Sequence, residues 1–313
     1  MLTVDQIAEF RGSGVLVVED VIPDEVRGRV IAEYTRLLDA MYDRWHAEGR
    51  VPPPGEMDFY EKLLVAYDAG CEWFQPMDIT LPGSEIAADT PFHIGPAVMD
   101  LLTCPRLLDL VEDIIGPEIT SNPIQHVRLK PPARTLRGSE TTAHIMATDW
   151  HQDQGVTHAE ADGTTMVTVW IAMNDATPEN GCLQVIPGKP RMYPHCPKRQ
   201  TSIADGFIDE SLARPLPVGA GGVVLFHPLT PHAAFDNVSD GFRWSFDIRY
   251  NVTGQPTGRA HFPDFIARSR ARPETEFRDW RAWRQMWLDA RADLSGQPHI
   301  PIHRWSGDSP VCA

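Results

Sequence analysis

The chain has 313 residues, is 42% hydrophobic and carries a formal net charge of −15. This length and hydrophobic content suffice for a large core, whereas the acidic balance argues against nucleic acid as a partner, because phosphate binding needs basic surfaces. The same charge disfavours a coenzyme A thioester as substrate. We expect no membrane association, since no apolar stretch is long enough to span a bilayer and residues 1–6 lack the features of a signal peptide.

The N-terminal part is predicted to be helical around one strand. A short helix over Val4–Phe10 precedes a strand at Val15–Val18, and a long helix runs from Pro23 to about Trp45 with proline and acidic residues in its first turn. The segment Met57–Pro91 is irregular and rich in aromatic residues. It is either a lid that contacts a substrate or an ordinary cover of the core, and the sequence leaves both open.

Helical periodicity marks Ala97–Ile115, and Ile119–Lys130 is predicted to be a strand. Gln125 falls on one face of that strand, with His126 and Lys130 on the other, because side chains alternate along a strand. These three polar residues are candidates for contact with a substrate or cosubstrate.

Short strands separated by turns follow. They predict an antiparallel jelly roll of the cupin-like kind, that is, a double-stranded β-helix core in a mainly β protein with helical flanks. The predicted strands are Thr165–Met173, Cys182–Gly188, Val223–His227 and Phe242–Tyr250. Beyond Gly254 the strand signal ends.

A tryptophan-rich helix is predicted over Glu274–Leu294, with Trp280, Trp283 and Trp287 on one stripe. Such a stripe is typical of core packing or of a contact in a homo-oligomer. We interpret the chain as a single domain, 1–313, with a helical N-terminal flank and insertion (1–117), a jelly-roll core (118–253) and a helical C-terminal flank (254–313).

The five cysteines are scattered, odd in number and without a Cys-x-x-Cys pair. This pattern predicts reduced thiols in a cytoplasmic protein and no structural zinc site. The cysteines expected to be free are Cys71, Cys104, Cys182, Cys196 and Cys312.

The most informative pattern is His151-x-Asp153 together with the distant His232. Two imidazoles and one carboxylate can occupy one face of a metal ion and leave three coordination positions open, as in non-haem Fe(II) oxygenases. If residues 151–153 lie on a strand, both ligands point to the same side of the sheet. His227 is a rival for the third ligand, and four further histidines are assigned structural or substrate-contact roles: His126, His144, His158 and His195.

These motifs and their surroundings resemble the phytanoyl-CoA dioxygenase family of Fe(II)/2-oxoglutarate-dependent oxygenases. The resemblance is strongest from about Ile119 to Asn251. The matching pieces are Trp150–Asp153, Val169–Thr177, Gly181–Gly188, Phe226–His232 and Phe242–Ser245.

The resemblance implies a role for each matched residue. His151, Asp153 and His232 would hold Fe(II) as the catalytic centre, with His232 favoured over His227. Arg243 would pair with the distal carboxylate of the 2-oxoglutarate cosubstrate, because a guanidinium meets a carboxylate through two charge-assisted hydrogen bonds.

Three further positions concern the cosubstrate. The resemblance implies that Ser245 bonds the same carboxylate as Arg243 and that Trp170 walls its pocket. Several relatives have Gly-Ser after the distal histidine, where this chain has Ala233 and Ala234, so one hydroxyl that would bind the cosubstrate is missing.

Arg249 lies on the same strand face as Arg243 and is expected to form a local ion pair with Asp247.

The implied reaction uses dioxygen and 2-oxoglutarate, releases succinate and carbon dioxide, and oxidises a small-molecule metabolite. The carboxylate at Asp153 favours hydroxylation over halogenation, since related halogenases have a small residue there. Two alternatives remain open: a cupin-type metalloenzyme that does not use 2-oxoglutarate, and a non-catalytic small-molecule-binding protein on the same fold.

Overall fold

The computed structural model describes residues 1–83, 85–133, 148–197, 201–298 and 304–312. Its centre is a six-stranded antiparallel sheet with the strand order β1-β8-β3-β10-β2-β11. The strands of this sheet are β1 (Val15–Val18), β2 (Glu118–Lys130), β3 (Met166–Ala172), β8 (Val223–Phe226), β10 (Arg243–Val252) and β11 (Phe265–Ser269).

A smaller antiparallel sheet packs on one face of the large one. It contains β4 (Leu183–Val185), β7 (Arg214–Leu216) and β9 (His232–Ala234), in the order β7-β4-β9. In a separate two-stranded sheet, β5 (His195–Pro197) pairs with β6 (Thr201–Ile203). Trp170 and Val224 of the large sheet share a buried cluster with Leu183 and Ala234 of the small one. Two packed antiparallel sheets with helical flanks confirm the predicted jelly roll.

Strand β10 contributes to two different layers. Its even-numbered residues Trp244 and Phe246 lie in the apolar core on the helical side, whereas the odd-numbered Arg243 and Asp247 line the interior between the sheets. Because successive side chains on a strand point to opposite faces, the alternation of apolar and polar residues places charged groups inside the molecule.

Helices cover the outer face of the large sheet. Tyr34 and Phe59 pack on Trp244, with ring centroids 5.2 and 5.0 Å away, so Phe59 of the segment Met57–Pro91 covers this face of the core. The helices are α1 (Val4–Ser13), α2 (Asp24–Ala47), α3 (Phe59–Asp68), α4 (Phe74–Met77), α5 (Pro96–Leu102), α6 (Pro105–Ile115) and α7 (Trp280–Ser295). Within the described ranges, no helix has both the length and the apolar character needed to cross a bilayer.

Three elements differ from the expectation. The segment Ala97–Ile115 forms two helices, because Pro105 opens α6 and cannot donate the backbone hydrogen bond that would continue α5. Strand structure does not end at Gly254, since β11 pairs with β2 and forms the edge of the large sheet. The last long helix begins after Asp279, whose side chain caps it, and not at Glu274.

The tryptophan stripe of α7 is used within the chain. Trp283 and Trp287 are 1% and 0% exposed. Trp283 packs edge-on against Phe265, and Trp287 lies 5.1 Å from Phe262 between ring centroids. The sequence predicted either core packing or a contact in a homo-oligomer for this stripe, and the contacts of these two tryptophans are core packing.

The expectation of five reduced thiols is wrong for two cysteines. Cys196 and Cys312 form a disulfide across 116 residues of sequence, whereas Cys71, Cys104 and Cys182 are free and buried. Scattered spacing could not reveal a pair that only the folded chain brings together.

Loss of this disulfide should destabilise the protein. We expect Cys312→Ser to lower the free energy of unfolding by about 2–5 kcal/mol, because the cross-link restricts the unfolded chain over a long loop. Chemical denaturation with and without reductant measures this. Reductant should shift the wild-type midpoint and leave that of Cys312→Ser unchanged. A wild-type midpoint insensitive to reductant, with both thiols free in a peptide map, would contradict the cross-link.

Candidate metal centre and its cavity

The backbone places His151 and His232 side by side. Each donates its amide N–H to the carbonyl of the other, at 3.0 Å in both directions, so the two residues form an antiparallel bridge at the start of β9. Directly opposed residues in an antiparallel pair project their side chains to the same side. The two imidazole rings accordingly lie 4.1 Å apart between centroids.

Both histidines are held in the tautomer that suits metal binding. His151 Nδ1 lies 2.9 Å from the carbonyl oxygen of Asp149, and His232 Nδ1 lies 3.0 Å from that of Thr230. A carbonyl oxygen can only accept, so each Nδ1 carries the proton and donates. Each Nε2 therefore keeps a free lone pair, which is the form a metal ion requires.

Asp153 completes the set from a tight turn. It opens a 3-10 turn over Asp153–Val156, so the expectation that the His-x-Asp motif lies on one strand is wrong. Its Oδ1 lies 3.9 Å from Nε2 of His151 and 3.9 Å from Nε2 of His232. The three donor atoms lie within 4.8 Å of one another, which brings the three predicted ligands together around one point.

The protonation states of this triad fit a divalent cation. Burial, and secondarily the neighbouring His232, lowers the pKa of His151 to about 4, and burial also lowers the pKa of His232. For Asp153 burial favours the neutral acid, but Arg249 and the two histidines outweigh it and depress the pKa below its ordinary value. At neutral pH the site offers two neutral imidazoles and one carboxylate, the forms that coordinate metal.

His227, the rival third ligand, lies elsewhere. Its Nδ1 accepts the amide N–H of Leu229 at 3.1 Å, and its side chain lines a separate cavity beside Gln154 and Phe10. Among the described residues, only His151, Asp153 and His232 come together as a possible metal-binding group. His144 lies outside the described residues.

A cavity opens beside the triad between the two sheets. Arg243 is 3% exposed there, and its guanidinium lies 5.1 Å from the ring centroid of Trp170 and donates to the hydroxyl of Ser245. Burial lowers the pKa of Arg243 to about 10. The cavity is lined by Arg128, Lys130, Thr148, His151, Trp170, Leu183, Phe226, His232, Ala234, Arg243 and Asp247.

The cavity wall carries more positive charge than the motifs indicated. Lys130 lies opposite Arg243 and Arg128 lies opposite Ser245 in the register of β2 and β10. Lys130 donates its ammonium to the carbonyl of Phe235, and burial, then the nearby Arg243, lowers its pKa to about 7. Sequence reasoning missed Arg128, although it shares the strand face of Lys130.

The other two candidates for substrate contact are not part of the cavity lining. Gln125 projects from the opposite face of β2, and its amide donates to the carbonyl of Ile79 at 3.3 Å. His126 Nδ1 lies 3.0 Å from the carboxylate of Asp78. Of the three candidates on this strand, Lys130 lines the cavity.

Arg249 has a different partner from the expected one. Its guanidinium forms an ion pair with the buried carboxylate of Asp153, so the expected local pair with Asp247 is wrong. The hydroxyl of Thr168 donates to the other oxygen of the same carboxylate at 2.5 Å. Alternation along the strand indicated that Arg249 shares the face of Arg243, but no feature of the sequence indicated its partner.

Comparison with known proteins identifies the family of the chain. The family model described as phytanoyl-CoA dioxygenase (PhyH) matches residues 10–245. The chain is 26% identical over 261 residues to the peroxisomal phytanoyl-CoA dioxygenase of Mus musculus, covering 80% of this chain and 68% of that protein. It is 26% identical over 277 residues to phytanoyl-CoA dioxygenase domain-containing protein 1 of Danio rerio, covering 78% and 88%.

Solved structures share the fold at low identity. The non-heme monooxygenase ThoJ superposes with a TM-score of 0.60 at 20% identity, covering 93% of this chain and 98% of that one. The epimerase SnoN, crystallised with Fe3+ and alpha ketoglutarate, gives a TM-score of 0.51 at 20% identity, covering 82% and 87%. With the family match over most of its length, the chain belongs to the phytanoyl-CoA dioxygenase family and is a 2-oxoglutarate-dependent non-haem iron oxygenase.

Proposed function

We propose that the protein hydroxylates a C–H bond of a small-molecule metabolite, with release of succinate and carbon dioxide. The supporting observation is that both histidines of the His–Asp–His triad line the cavity that holds the buried cation Arg243. Among the described residues, no carboxylate lies within ion-pair distance of Arg243. A buried cation without an acidic partner is costly, and the distal carboxylate of 2-oxoglutarate supplies the missing charge.

The assigned roles follow from these positions. His151, Asp153 and His232 bind Fe(II), which when bound supplies the activation of dioxygen. Arg243 pairs with the distal cosubstrate carboxylate, while the hydroxyl of Ser245 orients its guanidinium and also reaches the carboxylate. Trp170 closes the pocket from the side of β3 and excludes water.

Lys130 is our proposed second cosubstrate contact. Relatives with Gly-Ser after the distal histidine present a hydroxyl that this chain lacks at Ala234, and Ala234 lines the same cavity as Lys130 and Arg243. A bound carboxylate would favour the charged form of Lys130, whose ammonium supplies donors that the missing hydroxyl does not.

The substrate class is proposed from charge. Both relatives described above carry phytanoyl-CoA in their names, but this chain has a net charge of −15, which opposes a ligand with several phosphates. We propose a metabolite without coenzyme A.

Organisation, assembly and location are proposals as well. We propose a single catalytic domain over 1–313, although β1 and β11 extend the sheet beyond the core expected at 118–253.

A homo-oligomer through α7 would use the partly exposed Trp280, because the other two tryptophans are buried. We propose a cytoplasmic location. The three free buried cysteines support it, whereas the disulfide is more typical of proteins in oxidising compartments.

Purified protein should bind 2-oxoglutarate through iron. We expect an iron- and cosubstrate-dependent charge-transfer absorbance under anaerobic conditions and succinate formation in air. A screen of small metabolites for stimulated succinate release, followed by mass analysis for one added oxygen, identifies the substrate. The absence of both the absorbance and succinate would contradict the assignment.

Removal of either histidine ligand should abolish metal binding in a folded protein. We expect His151→Ala and His232→Ala to lose iron and turnover, whereas His227→Ala, the matched control, keeps both. Asp153→Ala should in addition lower stability by about 3–5 kcal/mol, because it leaves the buried Arg249 without its partner. Iron content, circular dichroism and denaturation measure these effects. Iron loss in His227→Ala with retention in His232→Ala would reverse the assignment.

Replacement of Arg243 should weaken the cosubstrate and spare the metal. Loss of one partner of a buried ion pair costs about 3–5 kcal/mol, so Arg243→Ala should raise the 2-oxoglutarate dissociation constant roughly a few hundred- to a few thousand-fold. Arg243→Lys should recover only part of this, because an ammonium cannot form the two-pronged contact. Anaerobic titration of the charge-transfer band measures both, with the exposed Arg270→Ala as control. An unchanged titration for Arg243→Ala would contradict the role.

A further inference from the structure

The metal-ligating carboxylate is held on both of its oxygens by the protein. Arg249 bonds Oδ1 of Asp153 through one guanidinium nitrogen, and its other terminal nitrogen donates to the carbonyl of Ile124 at 3.0 Å. Thr168 donates its hydroxyl to Oδ2. Asp153 and Thr168 are 0% exposed and Arg249 is 3% exposed, so no bulk water competes for these contacts.

The two donors come from one place in the sheet. Arg249 of β10 and Thr168 of β3 are direct partners in the antiparallel register. Opposed residues on the same face bring their Cβ atoms to about 5 Å, which lets both side chains reach a single carboxylate. The pairing of two central strands therefore positions both donors, whereas the carboxylate that they contact comes from the turn Asp153–Val156.

The two oxygens of Asp153 have different surroundings. Oδ1 lies 3.9 Å from Nε2 of each histidine, so it is the oxygen that faces the metal position. One of its lone pairs meets Arg249, and the other is free for a metal ion. Oδ2 is the oxygen bonded to Thr168.

From this geometry we propose that Arg249 and Thr168 are positioning residues that restrict Asp153 to binding the metal through one oxygen. Two histidines and one carboxylate oxygen leave three coordination positions open. A second carboxylate oxygen would take one of them. This inference rests on the proposed function, in which a chelating cosubstrate occupies two positions and dioxygen needs the third.

The sharpest test replaces Thr168, because that change buries no unpaired charge. We expect Thr168→Val to weaken Co(II) binding about 10- to 100-fold, the usual effect of losing an outer hydrogen bond to a metal ligand. Its Co(II) absorption spectrum should also change, because the freed Oδ2 enters the coordination sphere. Thr168→Ser keeps the hydroxyl and should restore both the affinity and the spectrum. Calorimetric titration and visible absorption of the Co(II)-loaded protein measure these without cosubstrate or turnover.

Thr120→Val is the matched control. Thr120 is a buried threonine of β2 whose hydroxyl bonds Thr253, and its replacement should affect stability but not Co(II) affinity or spectrum. Arg249→Lys, which keeps the charge, should bind Co(II) more tightly than Arg249→Met. If Thr168→Val lowers stability in the same way as Thr120→Val and keeps the wild-type Co(II) affinity and spectrum, the positioning role is overturned. Wild-type protein that binds Co(II) without binding 2-oxoglutarate would instead overturn the proposed function alone.

Discussion

The burial of an ionised carboxylate is the constraint on which the rest of the structure depends. Asp153 is 0% exposed, and an unpaired charge in that position would cost several kcal/mol. Its two donors, Arg249 and Thr168, meet only if β3 and β10 are neighbours in one register. A slip of either strand by one residue would turn the donor on that strand to the opposite face. The apolar layer around Trp244, on the other side of the same strand, keeps that register by packing under the helices.

The surface and the cavity have opposite electrostatic character. The chain carries a net charge of −15, yet Arg128, Lys130 and Arg243 all line the cavity beside the metal position. Over the whole surface the acidic residues act through bulk solvent and are screened, whereas buried cations act at short range in a medium of lower dielectric. An anionic cosubstrate buried in the cavity is therefore compatible with an acidic protein, because the cations of the cavity wall act on it at shorter range than the screened charges of the surface.

The sequence predicts features that depend on local periodicity and misses those that depend on distant pairing. Alternation along β10 predicted that Arg243 and Arg249 share one strand face, and the three ligands predicted at His151, Asp153 and His232 do come together. The partner of Arg249 was assigned wrongly, because proximity in sequence favoured Asp247. A register shift on β2 separates these two positions, and the carboxylate that pairs with Arg249 lies 96 residues away. No local sequence pattern in either segment predicts that contact.

The turn that begins with the metal-ligating carboxylate is also held from outside the sheets. Gly155 lies against the ring of His195, where an added Cβ would come within 2.4 Å of the ring. Only glycine therefore allows the turn to approach the His195 ring this closely. The indole N–H of Trp305 donates to the carbonyl of Gly155, and the ring of Trp305 stacks on His195. The disulfide between Cys196 and Cys312 joins the two segments that make these contacts. The turn that carries Asp153 thus packs against two segments that are distant in sequence and joined by a covalent link.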